Sequence, residues 1–84
     1  SYDYEYDKEP AEPEFLEDAF SSLEEFAGQM DFDNIEMVID SVNEYRLEPE
    51  DKAIFSEVEA AFAVLDWGGI TAACRKYLEK LYGS

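Results

Sequence analysis

Apolar residues recur every three or four positions along most of this chain, and each such run predicts one helix. Phe15, Leu16, Ala19, Phe20, Leu23, Phe26, Ala27 and Met30 share a face, predicting a first helix from Glu14 to about Gln29 that Gly28 weakens near its end. Asp31-Phe32-Asp33 reads as a turn. Asp33 and Glu36 have capping-box spacing, in which an acceptor meets free N–H groups and a carboxylate follows one turn on. The second helix then runs from about Asn34 to Arg46, with Ile35, Val38, Ile39, Val42 and Tyr45 inward and Glu36, Asp40, Asn43 and Glu44 outward. Pro49 suits a first helical position and opens a third helix to Leu65, with a stripe of Ala53 or Ile54, Val58, Ala61, Phe62 and Leu65. Asp66 can cap a fourth helix from Trp67 to about Tyr82, whose inner face holds Ile70, Ala73, Cys74, Tyr77, Leu78 and Leu81. Gly68 and Gly69 suggest a tight entry beside Trp67, and Gly83 a stop.

The four helices form two copies of one pattern, offset by 35 residues. Ala19-Phe20-Ser21-Ser22-Leu23-Glu24 aligns with Ile54-Phe55-Ser56-Glu57-Val58-Glu59, and Met30-Asp31-Phe32-Asp33-Asn34-Ile35 with Leu65-Asp66-Trp67-Gly68-Gly69-Ile70. Each copy is a helix, an Asp-aromatic turn and a second helix. The offset is similar to that of tetratricopeptide repeats. However, Ile35 and Ile70 occupy the small-residue position, and the Trp-Leu-Gly-Tyr pattern is missing, so the likeness reduces to hairpin physics. The expected fold class is all-α, a four-helix bundle built from two helical hairpins over residues 14–84. Residues 1–13 alternate Tyr with acid before Pro10 and Pro13 and read as an extended N-terminal linker. Tyr2, Tyr4 and Tyr6 could alternatively form a short linear motif.

Charge is the strongest compositional signal. Twenty-two Asp and Glu face 6 Lys and Arg, a formal net charge of −16. The acid lies mostly before residue 51, and the last helix is locally basic through Arg75, Lys76 and Lys80. Such a field repels nucleic-acid phosphates and anionic membranes and attracts a basic protein surface. Surplus carboxylates also keep a small domain soluble. The lone Cys74 excludes an internal disulfide and fits a reducing, cytoplasmic setting. No apolar run approaches the roughly 18–20 residues of a membrane span. The start at Ser1 rather than Met suggests a piece of a longer protein.

Enzymatic constellations are mostly excluded by absence, leaving only carboxylate chemistry. With no His, there is no Ser-His or Cys-His nucleophile pair, and one Cys cannot build a zinc site. No glycine-rich phosphate loop occurs. Asp31, Asp33 and Glu36 resemble the start of a calcium loop but lack its remaining ligands and central Gly, so helix capping explains them better. No cofactor or metal is expected, and Cys74 and Trp67 read as packing residues.

Within this frame Met30-Asp31-Phe32-Asp33-Asn34-Ile35, the segment Asn43-Glu44-Tyr45-Arg46-Leu47-Glu48-Pro49-Glu50-Asp51-Lys52, and Leu65-Asp66-Trp67 carry a family resemblance. Residues from about 15 to 82 resemble the small helical module at the C-terminal end of some multidomain bacterial hybrid two-component sensor kinases. The EYRL-x-PED linker is the most specific piece. The resemblance implies a phosphotransfer-like bundle that docks or spaces neighbouring receiver or kinase domains. Histidine-phosphotransfer domains carry a His-x-Leu-Lys-Gly motif. Ser21-Ser22-Leu23-Glu24-Glu25 keeps only its Leu, so the module resembled here lacks the histidine and cannot carry over phosphoryl transfer.

The expected function is therefore that of a noncatalytic interaction module in a phosphorelay protein, not an enzyme. The expected partner is a protein with a basic surface, met by Glu36, Asp40, Glu44, Glu48 and Glu50. Two alternatives stay open: an acidic inhibitor that mimics nucleic acid, and a helical-repeat peptide binder with an open groove between its hairpins.

Overall fold

The computed structural model describes residues 4–83, with side chains from Tyr6 onward. Four helices follow one another: α1 (Pro13–Gly28), α2 (Phe32–Val42), α3 (Pro49–Ala63) and α4 (Trp67–Leu81). The fold is all-α, a four-helix bundle of two hairpins. α1 packs on α2, α3 packs on α4, and α1 against α4 joins the hairpins. α2 and α3 meet through side chains. The Phe32 and Phe62 rings lie 4.7 Å apart, and Asn43 Nδ2 donates to Glu59 Oε2 at 3.0 Å.

The core is almost wholly apolar. Leu16, Phe20, Leu23 and Ala27 of α1 meet Ile35, Ile39 and Val42 of α2, Ile54, Phe55 and Val58 of α3, and Ile70, Ala73, Cys74 and Tyr77 of α4. At its centre Phe20 stacks on Tyr77 at 4.1 Å and meets Phe55 edge-on at 6.4 Å, so three helices share one aromatic joint. Offset and edge-to-face pairs of this kind add to the area they bury. Phe55 was not on the stripe read from the sequence, which chose Ala53 or Ile54. Ala53 is exposed and Ile54 is buried.

The two turns repeat in atomic detail. In the first, Met30 N–H donates to the Ala27 carbonyl at 3.1 Å and Asp31 N–H to the Phe26 carbonyl at 2.9 Å. In the second, Leu65 N–H donates to Phe62 at 3.0 Å and Asp66 N–H to Ala61 at 2.8 Å. Both are Schellman closures, and both place a non-glycine residue in the left-handed region, with φ 52 at Met30 and 56 at Leu65. The next residue then caps the following helix. Asp31 accepts from Asn34 N–H at 3.2 Å, and Asp66 accepts from Gly69 N–H at 2.9 Å.

This geometry corrects several expectations, the first being Met30, which leaves the α1 stripe and lies exposed in the turn. Asp31, not Asp33, caps α2, so the helix starts at Phe32 and Asp33 lies exposed in its first turn. Leu65 is not on the buried stripe of α3. It is half exposed beyond the helix end, because the closing turn needs a left-handed residue there. α2 ends at Val42 rather than Arg46, because Arg46 pairs elsewhere. Its N–H donates to the Glu9 carbonyl at 2.8 Å, and its carbonyl accepts from Ala11 N–H at 2.9 Å.

That pairing is a single parallel bridge between Pro10 and Arg46, reinforced by Arg46 Nη1 donating to the Lys8 carbonyl at 3.3 Å. The second half of the N-terminal linker is therefore tied to the loop between the hairpins. Tyr45, expected on the α2 stripe, sits in this loop with its ring 4.9 Å from Phe15. Tyr4–Asp7 forms a short 3₁₀ turn, and the Tyr6 side chain is exposed. Of the proposed tyrosine motif, Tyr2 and the Tyr4 side chain lie outside the described residues.

Candidate interaction surface

Surface charge divides the molecule. From Glu12 to Tyr45 the chain carries eleven acids and no Lys or Arg, so the α1–α2 hairpin has no cation of its own. The four cations after residue 50 belong to the other hairpin: Lys52, Arg75, Lys76 and Lys80.

The three on α4 face acids of neighbouring helices. Arg75 Nε lies 2.8 Å from Glu24 of α1, and Lys76 Nζ 2.9 Å from Glu57 of α3. Lys80 Nζ sits 2.8 Å from Glu50 and 2.6 Å from Asp51, with Tyr77 below it at 5.4 Å from the ring centroid. Donating hydrogen bonds to the carboxylates of Asp51 and then Glu50 holds the Lys80 ammonium above its ordinary pKa. The locally basic last helix is thus neutralised by the helices it packs against. Exposed pairs of this kind stabilise by about 0–1 kcal/mol each. Their larger effect is on the field the surface presents.

The five candidate acids are all exposed but do not form one patch. Asp33, Met37 and Asp40 follow one outward row of α2 at steps of about one helical turn, and Glu44, in the turn just past the C-cap Asn43, extends the spacing. Glu36 falls on the neighbouring row with Phe32 and Asn43, the two residues that reach α3. Glu48 is the N-cap position of α3 and makes no side-chain cap there. Glu50 is drawn to α4 by Lys80. Asp40 and Glu44 therefore stay with an acidic row, while Glu50 leaves it.

A groove of about 220 Å³ runs between α1 and α2, beside this row. Phe15, Ala19 and Val38 make its apolar floor, Met37 one wall, and Asp18, Ser22 and Ser41 the polar rim. Met37 is 60% exposed. Sequence reasoning missed it, although an apolar residue between Glu36 and Asp40 on an otherwise polar face is a legible signal. A larger hollow of about 520 Å³ lies between α3 and α4. Ala60, Ala61, Gly69, Ala72 and Ala73 line it, and the Lys76–Glu57 pair lies at its edge. Val64, largely exposed, and Asp66 stand at its end, where the turn between α3 and α4 begins.

The remaining titratable groups belong to the scaffold. Burial, helped by the Glu24 charge, pushes the Cys74 thiol up to about 12, which suppresses the reactive thiolate. Burial also raises Tyr77, with Asp51 adding to it. Tyr82 is raised by donating to the Glu17 carboxylate, which ties the end of α4 to α1. Among the described residues no polar or charged side chain is buried, and no group of three His, Cys, Asp or Glu could hold a metal ion. No helix there is long and apolar enough to cross a membrane. No family model, curated protein or solved structure matches the chain at a significant level.

Proposed function

We propose that this chain is a noncatalytic interaction module whose α1–α2 hairpin binds a basic surface on a partner protein. The observation that carries this reading is the asymmetry of its charge. The α4 cations face acids of α1 and α3, while the outward acids of α1 and α2 have no lysine or arginine within their own hairpin. A carboxylate surface with no lysine or arginine on its own two helices steers cationic partners and repels anionic ones. The resemblance to the C-terminal module of hybrid sensor kinases supplies the setting: a cytoplasmic two-component protein, with neighbouring receiver or kinase domains as partners.

The test is co-purification and calorimetric titration against receiver and kinase domains with basic faces, at about 50 and 300 mM salt. Affinity should fall steeply between the two. Binding that ignores salt would remove the electrostatic basis of the proposal.

A second reading has its own support. Glu14, Asp18 and Glu25 on α1 and Asp33 and Asp40 on α2, with Glu44 just past its end, are exposed carboxylates spaced along two adjacent helices. Spaced rows of anions are what a mimic of nucleic acid would present. Displacement of duplex DNA from a basic DNA-binding domain would favour this reading over the first. The repeat-type peptide binder fits less well, since Phe32 with Phe62 and Asn43 with Glu59 draw α2 and α3 together across the opening it needs.

A further inference from the structure

We infer that the groove between α1 and α2 is the anchor point for a cationic amphipathic helix of a partner protein. This rests on the proposed binding of a basic partner and adds the place, the anchor and the shape of the ligand.

Three features converge on the groove. Its floor is apolar and preformed by Phe15, Ala19 and Val38. Met37 stands largely exposed beside it, in a row otherwise made of Asp33, Asp40 and Glu44. Asp18 stands on the opposite rim, with Glu14 and Glu25 exposed on the same helix. An apolar slot between acid-bearing ridges selects a ligand with a bulky apolar side chain flanked by Lys or Arg.

Other occupants fit worse. A volume of about 220 Å³ is below the roughly 300–1,000 Å³ of small-molecule sites, yet it suits one or two anchoring side chains. Nucleic acid and anionic membranes are repelled. A second copy of this chain would bring another −16 charges against the same surface. The two bordering helices present a furrow and no strand edge, which favours a helix lying in the groove over an added strand. Ser22 and Ser41 supply hydroxyl acceptors for the ligand's ammonium or guanidinium groups.

The probe is a synthetic amidated Leu/Lys peptide of about 14 residues, long enough to form an amphipathic helix. A peptide of the same composition with scrambled order is the control. Both are titrated into the ¹⁵N-labelled 84-residue chain and followed by amide shifts. The amphipathic peptide should move Phe15, Ala19, Met37, Val38 and Ser41 and bind at least about tenfold tighter than the scramble. Met37→Asp should weaken it by about tenfold or more, although it adds a favourable charge. Met30→Asp, on an apolar residue of comparable exposure in the turn at the far end of α1, should not.

Equal binding of both peptides, with shifts spread over the acids of α1 and α2, overturns the groove and leaves the electrostatic reading standing. Binding of neither overturns both. Shifts confined to Met30, Phe32 and Leu65 overturn the groove in favour of the apolar end of the bundle.

Discussion

The two hairpins are built alike and charged differently. Each closes its first helix with a left-handed apolar residue, Met30 or Leu65, and opens its second with an aspartate cap, Asp31 or Asp66. Yet the α3–α4 hairpin carries Lys52, Arg75, Lys76 and Lys80, while residues 12–45 carry no cation at all. The backbone motif is tolerant of this difference because its hydrogen bonds are local. Charge is thus free to diverge on the outer faces: the cations of one hairpin pair with its own Glu50, Asp51 and Glu57 and with Glu24 across the joint, while the rest of the other hairpin stays anionic.

The joint between the hairpins should give the largest effect. Phe20→Ala removes the ring that stacks on Tyr77 and meets Phe55, and should cost about 3–5 kcal/mol. Total stability is on the order of 4–12 kcal/mol for a chain of this length. Chemical denaturation should show both hairpins melting together at much lower denaturant. If amides of α3 and α4 keep their protection while α1 and α2 lose theirs, the hairpins are independent and the joint is not cooperative.

The caps come next. Asp31→Ala and Asp66→Ala should each destabilise by about 1 kcal/mol, measured by thermal or urea unfolding. The position that donates to each cap separates the hairpins. A Cβ on Gly69 would sit 2.5 Å from Asp66 Oδ2 and 3.1 Å from Ala61 Cβ. Gly69→Ala should therefore displace the cap and cost roughly 1 kcal/mol. At the matching Asn34, where a Cβ already fits and Nδ2 donates to Asp31 Oδ2 at 2.7 Å, Asn34→Ala should cost less. Equal costs would show that the two turns are not packed as differently as they look.

The left-handed residues give a smaller effect of opposite sign. Met30→Gly and Leu65→Gly relieve the Cβ clash at positive φ while adding unfolded-state entropy, for a net gain of roughly 0.5–1 kcal/mol. A loss of stability would mean that the exposed Met30 and Leu65 side chains contribute contacts greater than that strain.

These particulars mark what the chain made legible. Helical spacing located all four helices, and the 35-residue offset located both turns. The offset also held the correct cap, since Asp31 aligns with Asp66, but Asp33 with Glu36 offered a competing local pattern. Met30 and Leu65 looked like core because an apolar residue at the end of a stripe does not reveal its φ. Phe55 was missed because Ala53, Ile54 and Phe55 are contiguous, and spacing alone cannot say which of them faces inward. The surface was less legible still. Glu50 looked like one of five acids on a single patch, and only its meeting with Lys80, thirty residues away, removes it. The groove was invisible because it needs two helices, although Met37 among acids signalled one of its walls.

The titrations all run one way. The Cys74 thiol, the Tyr77 and Tyr82 hydroxyls and the Lys80 ammonium are all raised in the folded state. Each group holds its proton more tightly folded than unfolded, so the stability it contributes is fully present below its unfolded value and is lost as pH rises from there through the folded one. For Cys74 the loss begins near 9.0 and continues toward about 12. Thermal scans from pH 7 to 11 should show a falling midpoint, with Cys74→Ala removing part of the slope. A midpoint that rises over this range would contradict the buried-thiol and Lys80–Asp51 geometry.

The division of charge between the hairpins is tested most directly by neutralising each in turn and measuring affinity for the cationic amphipathic peptide. One variant carries Asp18→Asn, Asp33→Asn, Asp40→Asn and Glu44→Gln on the first hairpin. The other carries Glu48→Gln, Glu57→Gln, Glu59→Gln and Glu79→Gln on the second. The change in net charge is the same in both. The first set should abolish most of the affinity and its salt dependence, and the second should leave both nearly intact. Equal losses would show that the protein attracts its partner by total charge alone, and that the anionic hairpin has no special part in recognition.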